Sequence, residues 1–398
     1  MLMSALIVIV ALVVAAYLAL SRRVAASESW QATVTPLASI MGSGFLVSAP
    51  LLGGAVGNYA LFCMAGLLIV AYAVGAAIRF NIGVFEPVES DPGVAQRIAW
   101  VSRVVLTGAY FVSVSYYLQL LASFVLNMIG DVDPTTAHVV TTCLLVLICG
   151  VGMWRGLELL EGMEKYAVAS NLGLIAALLV ALVAYNGQLL VAGEWKVSPV
   201  PSEIDLQDFR VLLGLLIVVQ GFETSRYLGD AHSAEMRVST MRRAQLISAA
   251  IYLAFIAGCT TLFRSDFGTD VTAIVKMTAP IAVVLPVLLS LAAIGSQFSA
   301  AVADVEGAGG LIEDLSRRRL ALRWTYLPIV LTTVGLTWVT DVNEIISYAS
   351  RAFAVYYALQ CVVAAIMAWP RGSRLRSLAF GGLAFVCSAV AIFGLPAE

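Results

Sequence analysis

Twelve apolar stretches, each close to the length of a membrane crossing, leave this chain little choice of fold. A helix needs about 20 apolar residues to cross hydrocarbon. Such stretches fall at roughly 3–20, 34–56, 58–79, 98–128, 137–154, 165–185, 209–229, 243–263, 280–303, 322–340, 344–369 and 376–395. The stretch 98–128 is long for a crossing and is expected to tilt or to extend past the bilayer. The chain is 61% hydrophobic and 12% charged, against about 25% charged in a soluble domain, so the apolar surplus is membrane span. Lipid offers the backbone no hydrogen-bond partners, which makes helices the expected form. The run Met1 to Leu20 precedes its positive charges, Arg22 and Arg23. A cleaved leader has the reverse order, so the run reads as a retained helix.

Charge orders these crossings. If the chain starts outside, the cytoplasmic connections and adjoining helix ends take all but five of the 23 Lys and Arg. The exceptions are Lys196, Arg210, Arg264 and Lys276 on the outer side and Arg351 within a span. Cytoplasmic loops carry such an excess, so both termini are expected on the outer side of the plasma (inner) membrane. A net charge of −2 gives no reason to expect a nucleic-acid partner. The six cysteines lie in apolar runs with no CxxC or Cys/His cluster, so neither a disulfide frame nor a zinc site is expected. There is no G-x-S-x-G, HExxH or Walker A sequence, so the chain is expected to be neither an enzyme nor ATP-driven, and to use no cofactor.

Setting aside the first and last crossings leaves ten, between 34 and 369. They divide into five that begin inside and five that begin outside, an inverted-topology repeat of the kind found in secondary transporters. The expected divisions are an N-terminal helix and linker (1–33), a first repeat (34–186), a second, inverted repeat (187–369) and a C-terminal helix (370–398). Such folds place their site where two discontinuous helices meet. The first repeat opens with Gly42-Ser43-Gly44 inside an apolar run, and each glycine costs about 1 kcal/mol in a helix. The equivalent place in the second repeat holds Gly221-Phe222-Glu223-Thr224, a glycine and a carboxylate in mid-span.

Gly42-Ser43-Gly44-Phe45-Leu46 followed by Pro50 resembles the G-x-G-I-F…P signature of the amino acid–polyamine–organocation (APC) transporters. Gly221-Phe222-Glu223 resembles their G-F-E/D element, and the acidic-then-basic stretch Asp230 to Arg243 is similar to the loop before their seventh core helix. The resemblance in layout covers 34–369, the motifs about twenty residues. It implies an all-α polytopic membrane protein with a LeuT-like 5+5 core, broken helices 1 and 6, and one extra helix at each end. Family members often carry a lysine within the fifth core helix; here that place reads Ala169-Ser170-Asn171-Leu172, with Lys165 nearer the cytoplasmic end.

The residues suggest chemistry for that frame. Amides freed around Gly42, Ser43 and Gly44 sit at the positive end of a half-helix and suit a substrate carboxylate. Gly221, Phe222, Glu223 and Thr224 would form the facing wall. A carboxylate at mid-bilayer needs a cavity or a partner. Glu223 could hold a substrate amine, carry a proton, or pair with Arg226 three residues on. Tyr110 and Tyr117 share a face of the third core helix, which lines the site in proteins of this resemblance. In sodium-coupled proteins of this resemblance the ion takes backbone carbonyls of the first core helix and hydroxyls of the eighth; Ser296 and Ser299 could supply the latter, with Asn171 adding a polar group. Asp304 and Glu306, at the cytoplasmic end of the eighth core helix, read as exposed loop charges in preference to a gate. Arg79 and Glu86 are candidates for a latch, and Asp341 or Glu344 for the partner of Arg351. The function expected is alternating-access transport of a small amino acid-like solute, coupled to H+ in preference to Na+. The alternatives are a sodium-coupled or inorganic-cation transporter of the same fold, or a non-transporting membrane sensor.

Overall fold

The computed structural model describes residues 2–42, 44–130, 133–157, 164–202, 204–229, 231–264 and 270–396. Among them the protein is entirely helical. Helices α1 (Leu2–Leu20), α2 (Arg22–Ala25), α3 (Glu28–Gly42), α4 (Phe45–Val56), α5 (Ala60–Val84), α6 (Val94–Ile129) and α7 (Pro134–Arg155) make the first half. The second half continues with α8 (Glu164–Ala192), α9 (Leu206–Gly214), α10 (Ala234–Cys259), α11 (Ala273–Thr278), α12 (Leu285–Leu315), α13 (Leu322–Val339), α14 (Val342–Ala368) and α15 (Arg374–Phe393). Between α9 and α10 the chain forms only short 3₁₀ turns, Leu216–Val219 and Phe222–Tyr227. Eight helical stretches among the described residues are long and apolar enough to cross a membrane, the stretch Glu28–Val84 being counted as one. The others are shorter or more polar.

Local chemistry sets the helix ends. Asp133 caps α7 by accepting from the Thr136 amide, with Pro134 in the first turn, where a missing N–H costs nothing. Asp205 with Asp208, and Asp341 with Glu344, form reciprocal capping boxes at α9 and α14. Asp341 and Glu344 are therefore engaged with the backbone of α14. Arg351 instead donates to the carbonyl of Ala391, 2.7 Å away, near the end of α15. Arg210 donates to Phe393 O at 3.1 Å in the same last turn, so two guanidiniums satisfy carbonyls at the negative end of a helix.

The helices sort into two groups. Helix α6 lies between α12 and α14, with α7 paired to α13 beyond. Helices α3, α5 and α10 pack together with the 3₁₀ segment Phe222–Tyr227. The N-terminal helix α1 packs on α8. Gly173 of α8 makes that possible, since a Cβ there would lie 2.6 Å from the Ala11 carbonyl oxygen and 3.0 Å from Ala15. Small residues at a membrane helix contact allow such close backbone approach.

Candidate functional site

The two breaks meet each other. Helix α3 stops at Gly42 and α4 begins at Phe45; Ser43 lies outside the described residues. A Cβ on Gly44 would sit 2.9 Å from Val218 Cγ1, and one on Gly221 would sit 2.6 Å from Ser39 C and 2.7 Å from Ile40 N. Gly221 also has φ +115°, a left-handed conformation that side chains disfavour. Each break thus needs a glycine because the other passes so close. The backbone groups freed there are taken up by side chains. Gln297 Nε2 donates to Gly42 O at 2.9 Å. Tyr252 Oη lies 3.1 Å from Ile40 O and also donates to Val218 O.

Glu223 serves the second break. Its Oε2 accepts from the Gly221 amide at 3.0 Å and from Tyr357 Oη at 2.7 Å, and the residue is buried. Phe222, also buried, stacks on the Tyr357 ring with centroids 5.2 Å apart. Arg226 goes elsewhere: it lies 3.5 Å from Glu89 and 4.0 Å from Glu86, and it donates to Gln360. The pairing of Glu223 with Arg226 that their spacing suggests is not formed, because the orphaned Gly221 amide offers Glu223 a nearer donor. Nor does Arg79 meet Glu86. Arg79 donates to Gln245 and lies over the Tyr72 ring, while Glu86 holds Arg237 through two contacts, at 2.7 and 3.1 Å.

Beside the breaks lies a cavity of ≈ 670 Å³ between the two helix groups. Gly42 and Thr224 line it from one side, Tyr110, Tyr117, Ser296, Ser299 and Asp304 from the other, and Asn171 of α8 closes it. Gly221, Phe222 and Glu223 stand behind this wall. Gly44 lines a smaller adjoining hollow of ≈ 260 Å³, which shares Asn171 and Ser296. Gln220 links wall to interior: its Nε2 lies 3.1 Å from Tyr117 Oη, and its Oε1 3.5 Å from Tyr357 Oη. Asn171 Nδ2 donates to Ser296 Oγ at 3.3 Å. A second cavity of ≈ 1010 Å³ lies at the far end of α6, bounded by Asn127, Asp133, Asp270 and Asp341.

Asp304 corrects the sequence reading. It is not a loop charge; α12 runs on to Leu315, and Asp304 faces the cavity, accepting a hydrogen bond from Ser113. The signal was present in the spacing Ser296, Ser299, Ala300, Ala303, Asp304, one face of a helix extended past the apolar run. Among the described lining residues Asp304 is the only charged group.

Membrane helices broken at two facing points beside a cavity are the arrangement on which secondary transporters build their sites. A family model described as APC superfamily transporter matches residues 22–394, and the chain belongs to that family. It is 42% identical over 378 residues to an uncharacterised protein of Aquifex aeolicus (strain VF5), covering 93% of this chain and 91% of the other. In fold it is similar to crystal structures of mutants of the Eremococcus coleocola manganese transporter. A histidine-to-alanine mutant of that protein aligns with a TM-score of 0.56 at 12% identity, over 94% of this chain and 88% of that one. A glutamate-to-alanine mutant gives 0.54 at 13%, over 92% and 87%.

Proposed function

We propose that this transporter moves a small organic amine, an amino acid foremost, by alternating access, with protons as the coupling ion. The reading includes twelve crossings, of which α1 and α15 lie outside two inverted five-helix repeats (34–186 and 187–369), and both termini outside the plasma membrane. The observation that carries the substrate class is the cavity wall: one carboxylate, Asp304, among hydroxyls and an amide. Asp304 would take the substrate amine, with Tyr110 and Tyr117 beside it. A substrate carboxylate would lie toward Gly42–Gly44, at the start of α4. Gly221 offers no amide for it, because Glu223 already accepts that hydrogen.

Proton coupling is favoured over sodium by the state of the acceptors. Gly42 O and Ser296 Oγ, two oxygens a sodium ion would use, already accept from Gln297 and Asn171. Glu223 and Asp304, two carboxyl groups within the span, give protons a place to ride. The manganese carried by the similar structures is a weaker reading for this chain. The described cavity wall has one carboxylate and no imidazole, thiolate or thioether, a poor set for a divalent transition metal.

Uptake into proteoliposomes tests this, with pooled labelled amino acids and amines, then Mn²⁺, under imposed proton or sodium gradients. Proton-driven accumulation of an amine-bearing solute is expected. Asp304→Asn should lower its uptake roughly 10- to 100-fold, the equivalent of about 1.5–3 kcal/mol for a charge-assisted hydrogen bond. Accumulation of Mn²⁺ and of no organic solute would overturn the reading.

A further inference from the structure

Away from the cavity, the ends of α7 and α13 and the loop between α12 and α13 carry five arginines that form no ion pair among the described residues: Arg155, Arg317, Arg318, Arg319 and Arg323. Three observations place them together. Gly152 of α7 packs directly on Tyr326 of α13, where an added Cβ would lie 2.9 Å from the ring. The two helices run antiparallel in sequence order, so Arg155, three residues past Gly152, and Arg323, three before Tyr326, stand within about one turn of the same crossing. The loop Ser316 to Ala321 leads straight into that end of α13.

The side chains have the form of a membrane–water boundary. Arg155 lies over the Trp154 ring at 4.9 Å and Arg323 over Trp324 at 5.5 Å. The two tryptophans are 80% and 49% exposed. Indole at the boundary with guanidinium beyond it is the pattern of an interfacial anchor. The loop adds a costly detail. Arg317 and Arg318 hold φ of +54° and +58°, a conformation that glycine normally supplies at a helix end. Their amides close the helix in the ordinary way, to Asp314 O at 2.9 Å and Glu313 O at 2.8 Å. The backbone would be satisfied as well or better by glycine, so the arginines there are explained by what their exposed side chains meet.

We propose that this surface is a binding site for the phosphate headgroup of an anionic phospholipid, seated between α7 and α13 with its acyl chains along the two exposed tryptophans. Charge complementarity selects the headgroup: cationic clusters flanking membrane helices attract anionic lipid, and arginine matches phosphate in bidentate fashion. The site lies on the α7–α13 pair, apart from the cavity between the helix groups, and it does not depend on which solute is carried.

The full-length protein in detergent is the material for the test. Thermal unfolding and native mass spectrometry are measured with added phosphatidylglycerol, with phosphatidylcholine, and with inorganic phosphate. Phosphatidylglycerol should raise the unfolding temperature by several degrees and remain bound as discrete adducts, while the other two do neither. The double variant Arg317→Gly/Arg318→Gly removes two charges and relieves the left-handed strain. It should be at least as stable as the parent without lipid, and should lose most of the lipid-induced shift. An equal shift from phosphatidylcholine, a shift reproduced by inorganic phosphate, or a shift unchanged in the double variant would each overturn the proposal.

Discussion

In the proposed function, Glu223 and Asp304 divide between them the work that a single carboxylate was expected to do. Asp304 faces the cavity, whereas Glu223 closes the second break from behind, held by Gly221 and Tyr357. A residue in that position responds to the solute only through the wall, by way of Tyr117, Gln220 and Tyr357. Glu223→Gln keeps an acceptor for the Gly221 amide and for Tyr357, so the fold should survive while the titratable group is gone. Proton-driven accumulation in proteoliposomes should then fall far more than solute exchange without a gradient. Equal loss of both would make Glu223 a structural cap alone. Sequence reading finds Glu223 because a carboxylate in an apolar run is conspicuous. It misses Asp304 because the apolar window ends at 303, one residue short, although the helix does not. Arg351 shows another limit: its acceptor is the Ala391 carbonyl, and no count of charges points to a backbone atom.

At the scale of elements, the two breaks were legible because glycines in an apolar run have few other uses, and the charge bias placed them in equivalent positions. Their mutual contact was not legible, since it depends on helix rotations that hydropathy does not fix. The same holds for the ionic network around Glu86 and Glu89. Glu86 and Glu89, in the connection after α5, gather Arg237 of α10, Arg226 after the second break, and Arg103 of α6, which reaches on to Asp314 of α12. This chain of charges spans both helix groups. Arg226 and Arg237 side chains are each 6% exposed, so removing a partner strands buried charge. Glu86→Ala should destabilise the protein by on the order of 3 kcal/mol. A double-mutant cycle with Arg237→Ala, read by thermal or denaturant unfolding, should give a coupling above about 1 kcal/mol. Additive effects would mean that the two residues are neighbours without energetic connection.

At the scale of the whole molecule, the first and last helices, α1 and α15, are held to the body in different ways. Helix α15 is tied by Arg210 and Arg351 at its end, and the backbone beyond it presses on Gly214, where a Cβ would lie 2.0 Å from Leu395 O. Helix α1 touches the body along α8 and leaves most of its apolar surface uncovered. Its partner, α8, supplies Ala167, Val168 and Asn171 to the cavity wall. A helix of fixed apolar length answers a thinner or thicker bilayer by changing its tilt, and Gly173 leaves no slack between α1 and α8 in which such a tilt could be lost. Transport rate should therefore vary with the acyl-chain length of the reconstituting lipid, and the variation should shrink when residues 1–20 are deleted. The same dependence in both proteins would place its origin elsewhere. With that dependence found, α1 would be the part through which the thickness of the surrounding membrane acts on the solute cavity.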